Sequence, residues 1–221
     1  MRLGDRRPRR AGEPFRMSPS RLEAFSDGVF AIAITLLVLG LHVPAPAPGA
    51  DLAQQLGEQW PSYVAYAVSF LTIGIIWINH HAMIRRVKAV DHEILVLNLL
   101  LLLTVGLLPF TTALMAAYLK ESEGEALAAA IYAGSFLLMS VAFATTNRTI
   151  LFRKHHLLST SIDAATRRSI IGRGVAGLAP YLAATVLAIV SPYLTLAICG
   201  AVAVFYASPF ASRDEGSPAA V

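Results

Sequence analysis

Charged residues and cysteines are scarce in this chain, and each shortage excludes a class of protein. Asp, Glu, Lys and Arg make up only 14% of the 221 residues, against about 25% in a soluble domain, so a water-soluble enzyme is not expected. The single cysteine, Cys199, excludes a disulfide framework within the chain and any cysteine-rich metal site. The sequence contains no G-x-S-x-G, no H-E-x-x-H and no glycine-rich phosphate loop. It therefore does not predict an enzyme.

Long uncharged stretches take the place of the missing charges. Runs of 26 residues lie between Glu58 and Arg85 and between Glu93 and Lys120, a run of 22 lies between Glu125 and Arg148, and a run of 39 lies between Arg173 and Arg213. A bilayer core about 30 Å thick needs about 20 apolar residues to cross it. These runs predict membrane spans, and the longest is divided in two at Ser191-Pro192.

We therefore predict an all-α integral membrane protein with six transmembrane helices. Their expected bounds are Ser20–Leu41, Pro61–Ile84, His92–Leu119, Ala126–Thr149, Gly174–Val190 and Pro192–Phe210. Residues 1–19 are predicted to be a basic, disordered cytoplasmic tail, residues 20–210 the membrane domain, and residues 211–221 a second disordered tail. The spacing of Ser20 and Glu23 predicts a capping box at the first helix. A short interfacial helix is expected over Ile162–Ile170.

Lys and Arg fall on one side of this topology. Of the 18 basic residues, 17 lie in the N-terminal segment, the loops after the second and fourth helices, and the C-terminal tail. Basic loops stay in the cytoplasm, so both termini are predicted inside the cell. Topology and anionic lipid headgroups thus explain the net charge of +4, and no nucleic-acid partner is expected. The Ala-, Gly- and Arg-rich composition favours the plasma membrane of a prokaryote.

The first helix carries the densest group of polar residues. Asp27 lies near the start of this helix but inside the predicted membrane span, where an ionisable side chain needs a partner. Arg21 is six residues away and so lies on another helix face; a partner from another helix is therefore expected. The segment Trp77-Ile-Asn79-His80-His81, at the end of the second helix, lies at a similar depth, and its Asn79 and His80 are the side chains considered as partners. Two interpretations stay open and do not exclude each other: a structural clamp that includes Ser26, and a gating element.

An apolar stripe occupies the second half of the first helix. Ile32, Leu36 and Leu39 fall at i, i+4 and i+7, with Thr35 beside them. The spacing alone favours ordinary packing against helices or lipid over a pore lining. No T-V-G-Y-G sequence occurs, so the usual carbonyl filter of a potassium channel is absent. Neighbouring histidines such as His80 and His81 point about 100° apart on a helix, so no metal site is predicted.

One motif resembles the signature of a known family. Arg21-x-x-x-Phe25-Ser26-Asp27-Gly28, continued by Ala31-Ile32-x-x-Thr35-Leu36-Leu37-x-Leu39, is similar to the endolysosomal and prokaryotic potassium-channel family known as transmembrane protein 175. Less specific matches are Trp77-x-Asn79-His80, Asn98-Leu99 and Pro109-Phe110, and the resemblance runs from Arg21 to Phe210. The chain has one six-helix unit, as prokaryotic members do.

The resemblance implies a homotetramer with a central pore lined by the first helix. The channel would conduct potassium with modest selectivity over sodium, and no cofactor other than the permeant ion is implied. Ile32, Leu36 and Leu39 would form an apolar constriction, able to gate by dewetting, with Thr35 as a polar ring between them. A structural or gating network would hold the cytoplasmic end of the pore helix; its members would be Arg21, Phe25, Ser26, Asp27, Asn79, His80 and Asn98.

Two other functions remain open from the residues themselves. The first is a secondary transporter, coupled to protons or another cation, that uses Asp27 and His80 as a relay. The absence of an internal repeat and of a broken helix with a charge near the membrane midplane counts against it. The second is a membrane scaffold that does not conduct.

Overall fold

A computed structural model describes residues 17–46, 48–49 and 51–208. Eight α-helices occupy these residues: α1 (Pro19–Leu36), α2 (Leu52–Glu58), α3 (Trp60–Arg85), α4 (His92–Tyr118), α5 (Glu125–Arg148), α6 (Ala164–Ala176), α7 (Leu178–Leu187) and α8 (Pro192–Ala207). A 3-10 turn, Leu37–Gly40, extends α1, and a π-helical turn, Thr149–Arg153, extends α5; a further 3-10 turn spans His155–Leu157. The predicted tails fall mostly in residues 1–16 and 209–221, outside the described residues.

Five helical segments are long and apolar enough to cross a membrane. They are Pro19–Gly40, Trp60–Arg85, His92–Tyr118, Glu125–Arg153 and Ala164–Leu187. The sixth predicted crossing, α8, has 16 described helical residues and so spans about 24 Å. The all-helical membrane fold is thus present, with one segment shorter than the others.

The start of two helices differs from the prediction. The capping box at Ser20 is not formed, because Pro19, with its backbone angle fixed for a helix, starts α1 directly after Ser18. Helix α6 begins at Ala164, before the predicted start of the fifth crossing at Gly174, because the Asp163 side chain accepts hydrogen bonds from the first N–H groups of α6. This helix covers most of Ile162–Ile170, where a short interfacial helix was expected, and α7 follows it after Gly177. Helix α2 was missed because seven residues carry too little periodicity.

The main core lies between α4, α5 and the helices packed on them. Large buried side chains such as Phe30, Leu108, Met115, Tyr132 and Phe136 fill it. Helix α1 lies at the edge of this core and contacts α3 and α4. Its buried residues recur every three or four positions, at Leu22, Ser26, Phe30, Ala33 and Leu37. One face of α1 is therefore packed, and the opposite face is left open.

A second apolar cluster closes one end of the bundle, which we call the basic end. It joins the start of α1, the α3–α4 loop and the segment after α5, through residues such as Leu22, Val90, Ile94, Leu151 and Leu157. Backbone hydrogen bonds tie the same segments together: Met17 and Val90 exchange two bonds of 3.0 Å each. The start of the first helix is thus fixed to two loops that are distant in the sequence.

Candidate functional site

Three buried polar side chains meet where α1, α3 and α4 come together at the basic end. Asn98 of α4 donates through Nδ2 to Ser26 Oγ of α1 at 3.0 Å, and its Oδ1 lies 2.7 Å from His80 Nε2 of α3. Ser26 in turn donates to the Leu22 carbonyl at 2.9 Å. All three side chains are fully buried. We call Ser26, His80 and Asn98 the buried triad.

The hydrogen bonds of the triad determine which ring nitrogen of His80 carries the hydrogen. The amide oxygen of Asn98 can only accept, so His80 must donate from Nε2. The other ring nitrogen, Nδ1, is buried and has no hydrogen-bond partner among the described residues. Phe30 of α1 packs on the imidazole with ring centroids 5.4 Å apart. His80 is therefore held by one hydrogen bond and one aromatic contact.

Acidic side chains of α1 contact α3 beside the triad. Trp77 Nε1 donates to Asp27 Oδ1 at 2.8 Å, and His81 Nδ1 lies 2.6 Å from Glu23 Oε1. Glu23 and Asp27 are one turn apart on α1, and their partners are one turn apart on α3. We call these two contacts the α1–α3 ladder. The structure thus places Asp27 against Trp77 and not against the predicted relay partner His80.

Not every predicted network residue joins these contacts. Arg21, Phe25 and Asn79 are exposed in the single chain. Arg21 and Phe25 instead line a groove between the first turns of α1 and α4. They lie on the open face of α1, because Leu22 and Ser26 occupy the face that packs on the bundle.

The apolar stripe of α1 lies on this same open face. Ile32 is 60% exposed, Leu36 44% and Leu39 72%. The change to a 3-10 turn after Leu36 affects their alignment, because side chains three residues apart eclipse one another in a 3-10 helix. Leu39 therefore falls in line with Leu36.

Thr35 keeps its hydroxyl hydrogen within α1. Its Oγ1 lies 3.0 Å from the Ala31 carbonyl and 2.9 Å from the Ile32 carbonyl. A hydroxyl has one hydrogen to donate and two lone pairs. The exposed side of Thr35 thus offers an oxygen acceptor between Ile32 and Leu36.

Comparison with known proteins places this chain in a family. Residues 21–109 match the family model described as endosomal/lysosomal potassium channel TMEM175. A relative from Streptomyces collinus, named as a potassium channel, is 45% identical over 90% of this chain and 97% of its own length. The chain belongs to the TMEM175 family. A potassium channel from Chamaesiphon minutus is 37% identical over 88% of this chain and 96% of its own.

A solved structure agrees with the fold of this TMEM175 member. The crystal structure of a lysosomal potassium-selective channel TMEM175 homolog from Chamaesiphon minutus superposes with a TM-score of 0.76 at 37% identity, covering 86% of this chain and 96% of that one. The resemblance read from the first helix is thereby confirmed, as is a membrane channel fold. The family model spans α1, α3 and most of α4, the helices that carry the triad, the ladder and the stripe.

Sequence reasoning missed two members of the ladder, Glu23 and His81. A signal was present: the pairs 23/27 and 77/81 share the same spacing on helices predicted to run in opposite directions. When two antiparallel helices each carry two polar side chains one turn apart, both pairs of side chains can be in contact at the same time. The sequence does not give the rotation of each helix about its axis, and that rotation decides which residues meet.

Proposed function

We propose that this chain is the subunit of a homotetrameric potassium channel in the plasma membrane of a prokaryote. Helix α1 lines a central pore, and both termini lie in the cytoplasm. The observation that carries the proposal is the open face of α1. Ile32, Leu36 and Leu39 remain exposed there, although the opposite face of the same helix is packed into the bundle. Relatives named as potassium channels support the ion.

The stripe belongs to a pore only when several copies assemble. One helix cannot enclose an ion path, and a single chain leaves the stripe on its surface. Closed rotational symmetry is the usual way for identical chains to surround an axis. Four copies of α1 around that axis bring four Ile32, four Leu36 and four Leu39 side chains into successive rings.

Modest selectivity follows from such rings without a carbonyl filter. An aliphatic constriction forces an ion to lose part of its water, and potassium holds its water less tightly than sodium. The Thr35 oxygens between the apolar rings replace part of the lost hydration. The same rings close the pore by dewetting when they narrow.

Six crossings per copy keep both termini on one side. Helix α8 spans about 24 Å, less than the bilayer core of about 30 Å. Exposed Tyr193 and Tyr206 lie near its two ends, where aromatic side chains anchor helices at membrane interfaces. A bilayer thins locally around a short helix at modest cost, so α8 serves as the sixth crossing.

The constriction is tested by shortening its side chains one at a time. The purified protein, first checked for four copies by mass in detergent, is reconstituted into liposomes, and reversal potentials are measured with potassium and sodium on opposite sides. We expect Ile32→Ala, Leu36→Ala and Leu39→Ala to raise conductance at least about twofold and to bring the potassium/sodium permeability ratio toward one, because a wider ring removes less water.

A matched control lies on another exposed helix face. Val204 of α8 is 63% exposed, and α8 packs on α3, α5 and α7, so Val204→Ala should conduct as the wild type does. Unchanged conductance and permeability ratio in all three stripe variants would remove the constriction from these residues. Robust conduction by a verified monomer would overturn the shared pore.

A further inference from the structure

The ladder joins the proposed pore helix to α3 through two chemically different rungs. In one, the neutral indole N–H of Trp77 donates to Asp27. In the other, Glu23 faces His81, and both side chains can change charge. Imidazole is the side chain whose ordinary titration lies between pH 5 and 8. Proton binding to an imidazole therefore changes the charge of the Glu23–His81 contact, whereas the indole donor of the other contact stays neutral.

Protons can reach this rung from solution. The His81 side chain is 43% exposed and the Glu23 side chain 22%. Both lie at the basic end, near the ends of their helices that carry loops. His80, the next residue of α3, is by contrast fully buried in the triad.

Among the residues that the structure describes, the other charged side chains near His81 have partners of their own or lie further along the helices. Asp27 of α1 is bonded to Trp77, and Arg85 follows His81 by one turn on α3. The carboxylates in the first turn of α4, Asp91 and Glu93, are paired with Lys154 and Arg153. The α4 side chain that reaches the neighbouring His80 is the neutral amide of Asn98. Glu23 is thus the carboxylate in direct contact with His81.

We infer that Glu23 and His81 are positioning residues that hold the pore helix against α3, more firmly when His81 is protonated. Protonation turns a hydrogen bond between a carboxylate and a neutral ring into an ion pair with a charge-assisted bond. The inference rests on the proposed function, because α1 must line the pore for its position to alter conduction. In that pore, acid favours the arrangement of α1 described above.

The first test measures the current through reconstituted channels while the pH of the solution at the basic end is changed. Between pH 5.5 and pH 8 the wild-type current should change at least about twofold, the size expected of a partly exposed ion pair. His81→Gln and Glu23→Gln should each reduce this ratio to about one, and the double variant should not reduce it further. Exchange of the two groups, Glu23→His with His81→Glu, should restore it. A wild-type pH profile in either single variant would overturn the inference.

A second measurement does not need conduction. The chain has two tryptophans, so Trp60→Phe leaves Trp77 as the only reporter, with its ring 6.5 Å from His81. A protonated imidazole quenches indole fluorescence, so emission should fall from pH 8 to pH 5.5. His81→Gln should abolish the fall, whereas the control His156→Gln, in the exposed segment after α5, should preserve it.

The two measurements together separate proton binding from positioning. In Glu23→Gln the quenching should persist, because an imidazole still lies beside Trp77, while the current should no longer follow pH. Quenching that is absent from the parent protein would overturn the inference even if the channel conducts. A protein that shows the quenching but passes no ions at any pH would instead refute the proposed function, and with it the positioning role.

Discussion

The side chain of Asn98 connects three helices. Its amide both donates to Ser26 and accepts from His80, and no other residue of the triad contacts both neighbours through its side chain. Ser26 keeps a second bond, to the Leu22 carbonyl within its own helix. His80 Nε2 loses its partner if Asn98 is removed. Among the triad residues, truncation of Asn98 should therefore lower the free energy of unfolding most.

We expect Asn98→Ala to lower the free energy of unfolding by about 1–2 kcal/mol. The value combines a lost interhelical bond, worth about 0.6 kcal/mol on average in membranes, with the penalty for leaving the buried His80 N–H unpaired. Ser26→Ala should cost less, because the serine donor is satisfied within α1. Unfolding in a titration with denaturing detergent measures both.

The control for this deletion is Thr104→Val on the same helix. Thr104 is also buried, but its hydroxyl donates to the Leu101 carbonyl of α4 itself at 2.6 Å, so no second helix loses a partner. Its cost should stay below about 0.5 kcal/mol. An Asn98→Ala variant as stable as Thr104→Val would show that the triad contributes nothing to stability.

The environment of a single residue could be predicted from the sequence where it does not depend on how a neighbouring helix is rotated about its own axis. The stripe of Ile32, Leu36 and Leu39 needs only the helical period, and the structure places all three on one exposed face. The partner of Asp27 needs the rotation of α3 as well, which sequence spacing does not give. That is why Trp77 was quoted as part of a motif but not as the donor to Asp27.

At the scale of elements, a clamp of charges holds the end of α5 to the start of α4. Lys154, just after the π-helical turn, lies 2.6 Å from Asp91 Oδ2 and 2.9 Å from Glu93 Oε2, and Arg153 lies 2.7 Å from Glu93. Asp91 also caps α4 by accepting from the Ile94 N–H at 3.0 Å. One carboxylate therefore serves both a helix end and a contact between helices.

These contacts shift the titration of the clamp. Burial opposes ionisation of Asp91, but the Ile94 N–H and the Lys154 ammonium outweigh it and lower the pKa of this carboxyl below its usual 3.8. Hydrogen bonds from Lys154 to Asp91 and then Glu93 raise the pKa of the ammonium above its usual 10.5. A lowered carboxyl pKa stabilises the fold above pH 3.8, and this stabilisation is lost as pH falls through the lower folded value.

Lys154→Met should therefore destabilise the protein by about 0.5–1 kcal/mol at neutral pH, the upper range for accessible ion pairs. The difference from wild type should shrink as the pH falls below about 4, because protonated Asp91 no longer attracts the ammonium. Thermal unfolding in detergent across this range measures it. Arg153→Met is the control: the side chain is 71% exposed, so a smaller effect is expected. A difference that persists undiminished in acid would contradict the role of Asp91.

Helix ends were the elements that the sequence located least well. The long uncharged runs predicted the helices from Trp60 to Arg85 and from His92 to Tyr118 to within a residue or two. The helix that begins at Ala164 was expected only as a short interfacial segment, because Arg167, Arg168 and Arg173 interrupt its apolar residues. The 3-10 turn after Leu36 has no sequence signal other than Gly40, and it remains packed on α3 and α4.

At the scale of the whole molecule, the loops lie in two groups, one at each end of the helix bundle. The basic end joins the segment before α1 to the α3–α4 loop and the loop after α5, where Ser159 N–H donates to the Arg86 carbonyl at 2.8 Å. The other end joins the start of α3 to the remaining loops: Lys120 donates to the Glu58 carbonyl at 2.8 Å, and Trp60 stacks on Tyr193. The loops that charge alone assigned to one side of the membrane are thus in contact.

This sorting turns the sidedness of the channel into a prediction about two residues. Lys88 and Glu121 are exposed at opposite ends, and the native Cys199 is buried. In a Cys199→Ala background, a maleimide that cannot cross membranes should label Glu121→Cys in intact spheroplasts and Lys88→Cys only after permeabilisation, because basic loops stay in the cytoplasm. The parent without cysteine gives the background. Labelling of Lys88→Cys in intact cells would invert the topology, and the proton-sensitive ladder would then face the outside of the cell.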